Sequence, residues 1–287
     1  MAKDTMKKSR VNRSLGGDIM VIVMLVSIGA FMVLPLYLSV VNAFKPLDEI
    51  FIYPPRFYVM KPTLTNFKQL FQMTSNLWVP FTRYVFNSVF VTIVVTVGHV
   101  LLASLAAYPL AKHKFPGNKQ IFKFVRTALL FTGGTLAIPQ YVIMAVLGLV
   151  DTYWALVLPA MAGALGLFLM KQFMEPIGDA MLEAAKIDGA SEWRIWWQIV
   201  MPMVKPAWLT LSIFSFQSIW NATGSNFIYS EQLKLLPTVL SQIQAGGIAR
   251  TGVAAAASLV MLIPPVLFFV ITQSNVLETM AHSGMKD

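Results

Sequence analysis

Residues Glu175 to Pro206 read EPIGDAMLEAAKIDGASEWRIWWQIVMPMVKP, a punctuated polar stretch between two long uncharged ones. Asp179 is placed to cap a helix start, and the residues after it through Ile187 are good helix formers. Asp188-Gly189 supplies a stop, because glycine accepts the left-handed conformation that follows a helix end. Ser191 is placed to cap a second short helix, with Glu192 in its first turn, where the helix dipole favours an anion. Pro202 is expected to end that helix, and Pro206 suits the first turn of the next. The stretch therefore predicts a helix-turn-helix of its own. Met181, Ala184, Ala185, Ile187, Trp193, Trp196, Trp197 and Ile199 give it broad apolar faces.

The surroundings of this stretch are of a different kind. Of 287 residues, 56% are hydrophobic and 12% charged, with a mean hydropathy of +0.66. A soluble domain carries about 25% charged residues, so a soluble protein is excluded. Uncharged runs cover Ile19 to Phe44, Tyr84 to Ala111, Thr127 to Val150, Thr152 to Met170, Pro206 to Ser230 and Thr251 to Leu277. Each reaches the roughly 18 to 20 residues that a bilayer-spanning helix needs. The sequence thus predicts an all-α integral membrane protein with six transmembrane helices, at about 19–42, 84–111, 127–150, 152–171, 206–225 and 252–275. The 175–206 loop falls between helices four and five. A single membrane domain, 19–277, is expected between an N-terminal segment, 1–18, and a polar tail, 278–287.

Charge orients these spans. Lys3, Lys7, Lys8, Arg10 and Arg13 precede the first, and Lys112, Lys114, Lys119, Lys123 and Arg126 follow the second. Cationic residues near span ends stay on the cytoplasmic side. Both termini and the 175–206 loop are therefore expected inside, with fifteen Lys and Arg against seven outside. The net charge of +9 is then topological and gives no reason to expect nucleic acid. The first apolar run exceeds the roughly 7 to 15 residues of a cleaved secretion signal and is expected to be retained.

Several chemistries are excluded. With no cysteine, disulfides, thiolate metal sites and cysteine nucleophiles are absent. His99, His113 and His282 show no ligand spacing, so no metal site is expected, and no GxxxxGK[ST] phosphate loop occurs. The uncharged runs that define the spans hold no Asp, Glu, Lys or Arg, the fourth stopping just short of Lys171, whereas ion-coupled carriers generally use an intramembrane ionisable group. His99 has no Ser or Asp companion in its own span to suggest an enzyme. Polar span residues such as Asn87, Ser88, Thr92, Thr96 and Ser104 are read first as interhelical hydrogen-bonding groups, and second as a polar path. As an interfacial helix on lipid, the 175–206 segment would need basic residues on its polar face. Glu175, Asp179, Glu183, Asp188 and Glu192 instead outnumber Lys186 and Arg194, which favours a protein partner.

Glu183-Ala184-Ala185, three residues, Gly189, nine residues, Ile199, one residue, then Met201-Pro202 resembles the EAA loop of permease subunits in bacterial ABC importers, with Met201 where the family has Leu. Asn87-Ser88 near the start of span two, AAYPLAKHKFPG from Ala106 and LGLVDTYWALVLPA from Leu147 extend the likeness to the shorter permease of maltose-type carbohydrate importers. The SNVLETMAHSG ending resembles permeases for complex plant or uronate-containing oligosaccharides.

This resemblance implies a permease of the bacterial cytoplasmic membrane that moves a carbohydrate by alternating access and has no catalytic motif. It also implies partners: a second homologous permease, two cytoplasmic ATPase subunits that carry ATP and Mg, and an extracytoplasmic solute-binding protein. Glu183, Ala184, Ala185, Asp188, Gly189, Ile199 and Pro202 would belong to a coupling helix docked on the ATPase. Sugar sites combine aromatic faces with directed hydrogen bonds, which makes Asn87, Tyr141, Gln217, Trp220 and Asn221 candidates for the substrate path. A secondary transporter of a polar solute is the alternative reading.

Overall fold

The computed structural model describes residues 15–283 except 76, 77, 132 and 225. The basic residues from Lys3 to Arg13 and the last four residues of the tail lie outside the described residues. Among the described residues every regular element is helical. In chain order these are α1 (Leu15–Phe44), α2 (Leu47–Ile50), α3 (Thr65–Ser75), α4 (Phe81–Lys112), α5 (Asn118–Ala128), α6 (Gly133–Val146) and α7 (Tyr153–Met161). They continue as α8 (Ala164–Met174), α9 (Asp179–Ile187), α10 (Glu192–Met203), α11 (Lys205–Trp220), α12 (Leu236–Gln244) and α13 (Thr251–Ser283).

Four stretches are long and apolar enough to cross a membrane: Gly16–Phe44, Phe81–Lys112, Tyr153–Met174 and Thr251–Gln273. A fifth results if α10 and α11, which meet at 80°, count as one. The run expected to form span three is divided instead. Its start belongs to α5, and α6 has 14 residues with Pro139 inside it. The fourth run is broken at Ala162-Gly163, where α7, which contains Pro159, gives way to α8.

The helix α4 is the axis of the molecule. Its apolar window is 44% buried, against none for α1, whose apolar side chains from Ile19 to Tyr37 are exposed on all sides, as befits a helix solvated by lipid. Around the Lys112 end of α4, Ala103, Ala107 and Tyr108 pack with Met170, Met174, Leu182, Ile195, Trp196, Val200 and Leu211. Around its Phe81 end, Tyr84 packs with Ala43, Leu70, Trp220, Leu236, Val239, Leu240, Val253 and Ala256. The two clusters build the two ends of the bundle.

The connections between the expected spans have structure of their own. The 45–83 connection contains α2 and α3, with Asn66 buried and its amide donating to the carbonyls of Ala43 and Lys45 at 3.0 and 2.7 Å. The 223–250 connection contains α12, buried from Leu236 to Leu240. The last helix passes the expected end of span six near residue 275 and runs through Ser283.

Pro202 does not end its helix, contrary to the reading of the sequence. Residues Ile195–Val200 form a π-helix, and the helix continues through Met203. Proline lacks the N–H and clashes with the preceding turn of an α-helix, and the wider π turn just before it relieves that crowding. The break falls at Val204, and the Trp208 indole caps it by donating to the Met201 carbonyl at 3.1 Å.

Candidate functional site

The Glu175 to Pro206 stretch folds as a knob at the Lys112 end of α4. The end of α9 is a Schellman turn. Gly189, at φ +81, donates its N–H to Lys186 O at 3.0 Å, and Ala190 donates to Ala185 O at 2.9 Å. Glycine is required there because an L side chain is strained at that φ. Ser191 caps α10 by accepting the N–H of Arg194 at 3.4 Å. Gly178 is the residue before α9, and Asp179 is its first helical residue. The Asp179 carboxylate is engaged elsewhere, 3.0 Å from Lys112 Nζ.

Glu192 ties the knob to α4. Its carboxylate accepts the Tyr108 hydroxyl at 2.8 Å, pairs with Lys186 at 2.6 Å and lies 3.6 Å from His113 Nε2. The hydrogen bond from Lys186 holds the carboxyl below the usual glutamate range, and Tyr108 adds to this against the opposing effect of burial. Lys112 binds the knob's other end through Asp179 and the carbonyls of Glu175 and Ile177. None of the contacts between the knob and the Tyr108 to His113 end of α4 was legible in the sequence, since each joins residues more than sixty positions apart.

The knob's outer surface is apolar and unpartnered. Ile187, Trp193 and Trp197 are 86%, 66% and 57% exposed, although all three side chains are large and apolar. Ala184 and Glu183 are exposed beside them, and Glu183 has no ion pair or hydrogen bond among the described residues. Ile199 packs against the core below, Asp188 ends α9, and Pro202 is exposed.

The candidate path residues separate into two groups. Asn87 is fully buried, donates to Gln232 O and Lys234 O at 2.9 Å each, and accepts the Tyr153 hydroxyl at 2.7 Å. Trp220 is 4% exposed, with its indole N–H donating to Met261 O at 2.9 Å. These two therefore hold the helices together. Gln217, Asn221 and Tyr141 are exposed. Gln217 and Asn221 line a cleft of about 470 Å³ between α11, α12 and α13, with Ser241, Gln244 and Ser258 opposite.

His99 has companions after all, on other helices. Nδ1 lies 2.8 Å from Ser215 Oγ and Nε2 lies 3.2 Å from Gly163 O. The ring thus pins α4 to α11 and to the break between α7 and α8. Among the described residues no group of three His, Asp or Glu side chains is placed to hold a metal ion.

A bundle of membrane-length helices, with a stiff knob at one end and uncharged polar clefts between the helices, defines a membrane transport subunit. The chain belongs to the family of binding-protein-dependent transport system inner membrane components, whose pattern matches residues 19–277. It is 33% identical over 222 residues to Protein LplC of Bacillus subtilis (76% of this chain, 70% of the relative). It is 30% identical over 271 residues to the sn-glycerol-3-phosphate transport system permease protein UgpE of Yersinia enterocolitica (90% and 94%). Its fold matches a chain of a bacterial ABC transporter that imports the acidic polysaccharide alginate, with a TM-score of 0.76 at 21% identity, covering 92% of this chain and 99% of that one. As a member of this family the chain is a transport component rather than an enzyme.

Proposed function

We propose that this chain is one of two homologous permease subunits of an ATP-driven importer of carbohydrate. In this reading six spans cross the cytoplasmic membrane with both termini inside, two ATPase subunits bind the knob, and a solute-binding protein delivers the sugar to the opposite face. ATP and Mg reside on the ATPases. The observation that carries the reading is the knob's exposed apolar tip, Ile187, Trp193 and Trp197, set on a turn fixed by Gly189 and tied to α4 by Glu192. Apolar side chains this exposed mark a protein or membrane contact, and the exposed carboxylates of Glu183 and Asp188 beside them favour a protein over anionic lipid. A stiff knob converts closure of two soluble subunits into rigid-body rotation of helices.

In the same reading Gln217, Asn221 and Tyr141 face the substrate path, while Asn87 and Trp220 set the positions of the helices that carry them. The test is reconstitution of the permease pair, ATPases and binding protein in proteoliposomes. ATP-dependent uptake of an oligosaccharide supports the reading. Uptake by the permease alone, driven by an ion gradient, would establish the secondary carrier instead.

A further inference from the structure

Beside the outward end of α6 the chain assembles an aromatic surface that the polar clefts alone do not explain. Tyr141 of α6 and Phe227 stack with ring centroids 6.3 Å apart and planes at 19°. The Tyr229 hydroxyl lies 3.4 Å from that of Tyr141. Tyr229 is 59% exposed and Tyr141 38%, so aromatic faces remain uncovered. Phe227 also lines a cleft of about 540 Å³ whose wall includes Gln140, Ser218 and Asn226, and among the described residues no charged one lines it.

This surface is held in place. Asp151, at φ +61, donates its N–H to Phe227 O at 2.8 Å. Its carboxylate accepts the N–H groups of Tyr229 and Ser230 at 2.9 and 2.8 Å, and the Ser230 hydroxyl as well. A non-glycine residue in the left-handed region carries strain, here offset by four hydrogen bonds to one short segment. The platform is thus organised in advance of any ligand, which lowers the entropic cost of binding.

We propose that Tyr141, Phe227 and Tyr229 form a stacking platform for one sugar ring of the transported oligosaccharide, with Gln140, Ser218 and Asn226 meeting its hydroxyls. The proposal rests on the carbohydrate-importer reading above. A pyranose presents an apolar C–H face and a rim of hydroxyls, which fits an aromatic surface beside neutral amide and hydroxyl groups. With no cation in the cleft, recognition there is of ring faces and hydroxyls, and any carboxylate on the sugar is met elsewhere. Aromatic side chains also gather at membrane interfaces to contact lipid headgroups, but such a belt has no need of a cleft with converging amides.

The experiment uses the full complex in proteoliposomes with neutral arabinan and glucan oligosaccharides and with oligogalacturonate, measuring ATP-driven uptake against concentration. Tyr229→Ala and Phe227→Ala should each raise KM about tenfold, with a much smaller change in maximal rate, equivalent to loss of one stacking contact. Tyr229→Phe should keep a KM near that of the unaltered complex, because the ring face remains. Asp151→Ala should raise KM in the same way, since it releases the segment that carries both rings. Tyr53→Ala, which removes a 91% exposed aromatic ring between α2 and α3, should leave KM unchanged. An unaltered KM in both ring-removing variants would overturn the platform. So would reduced membrane abundance with normal KM, which would mark the rings as a lipid belt. Failure of the unaltered complex to take up any of these sugars with ATP would instead overturn the importer reading on which the platform rests.

Discussion

The hydroxyl of Tyr108 donates to Glu192 Oε2 at 2.8 Å, joining the Lys112 end of α4 to the second helix of the knob. With Lys186 on the other carboxylate oxygen and Lys112 on Asp179, the knob and α4 are bound as one lever. Tyr108→Phe should keep the buried ring and lose this charge-assisted bond. At a half-exposed carboxylate that is about 1 kcal/mol, or roughly fivefold in an equilibrium. Sugar transported per ATP should fall by up to that factor while membrane abundance stays normal. The folded carboxyl of Glu192 is held low, so its contribution is complete above the unfolded glutamate value and fades only as pH falls through the lowered one. The titration of Glu192 itself should therefore leave the ratio of uptake to hydrolysis unchanged above about pH 5. An unchanged ratio in Tyr108→Phe, measured in the same vesicles, would show that the bond transmits nothing.

Glu183 and Gly189 should behave differently from each other. Glu183 is exposed and without an internal partner among the described residues, so Glu183→Ala should leave insertion and thermal stability within about 0.5 kcal/mol. If it meets a donor in a partly buried groove on the ATPase, uptake and sugar-stimulated ATP hydrolysis should drop together. Gly189→Val places a β-branched side chain at φ +81, where it is strongly disfavoured, and should impair both activities more severely. Full coupling in Glu183→Ala would make this carboxylate a solvated face only.

A Cβ on Gly166 would lie 2.3 Å from His99 Nε2, and one on Gly163 would lie 2.7 Å from His99 Cε1. The imidazole cannot simply swing aside, because Ser215 and the Gly163 carbonyl hold it. Gly166→Ala should therefore destabilise the subunit by about 1 to 3 kcal/mol through overpacking, read as a lower unfolding temperature in detergent. In a His99→Ala background the same change should cost much less. Additive losses in the double variant would show that the two residues do not compete for this space.

How much of this was open to a reader of the sequence depended on whether the signal was local. The turn at Asp188-Gly189 and the cap at Ser191 were legible because helix formers and a glycine sit within a few residues of one another. The membrane character was legible because hydropathy sums over one stretch. The break before Gly163 was hidden inside an apolar run, although Pro159, Gly163 and Gly166 stood there as signals. Gln217 and Trp220 occupy the same turn of α11, yet one lines a cleft and the other is buried. The helices packed around Trp220, α12 and α13 among them, make that distinction. His99 and Ser215 are 116 positions apart, and no spacing rule connects them.

Cysteine labelling can test the orientation of the whole bundle, because the native chain has no cysteine to interfere. The 32 residues of α4 span about 48 Å at 1.5 Å per residue, more than the roughly 30 Å of hydrocarbon in a bilayer. At its Phe81 end, Tyr84 donates to Glu231 and Asn87 to Gln232 O and Lys234 O, which fixes the 223–250 segment there. At its other end Lys112 and Tyr108 hold the knob. The two segments therefore lie on opposite faces of any membrane that α4 crosses. Ser241, exposed on α12, and Glu183, exposed on α9, report on one face each. With the knob inside, Ser241→Cys should react with a membrane-impermeant thiol reagent in intact cells, and Glu183→Cys only in inverted vesicles. The reverse pattern would invert the topology and leave the knob on the wrong side of the membrane to meet a cytoplasmic ATPase. Labelling of both from one side would mean that α4 does not cross.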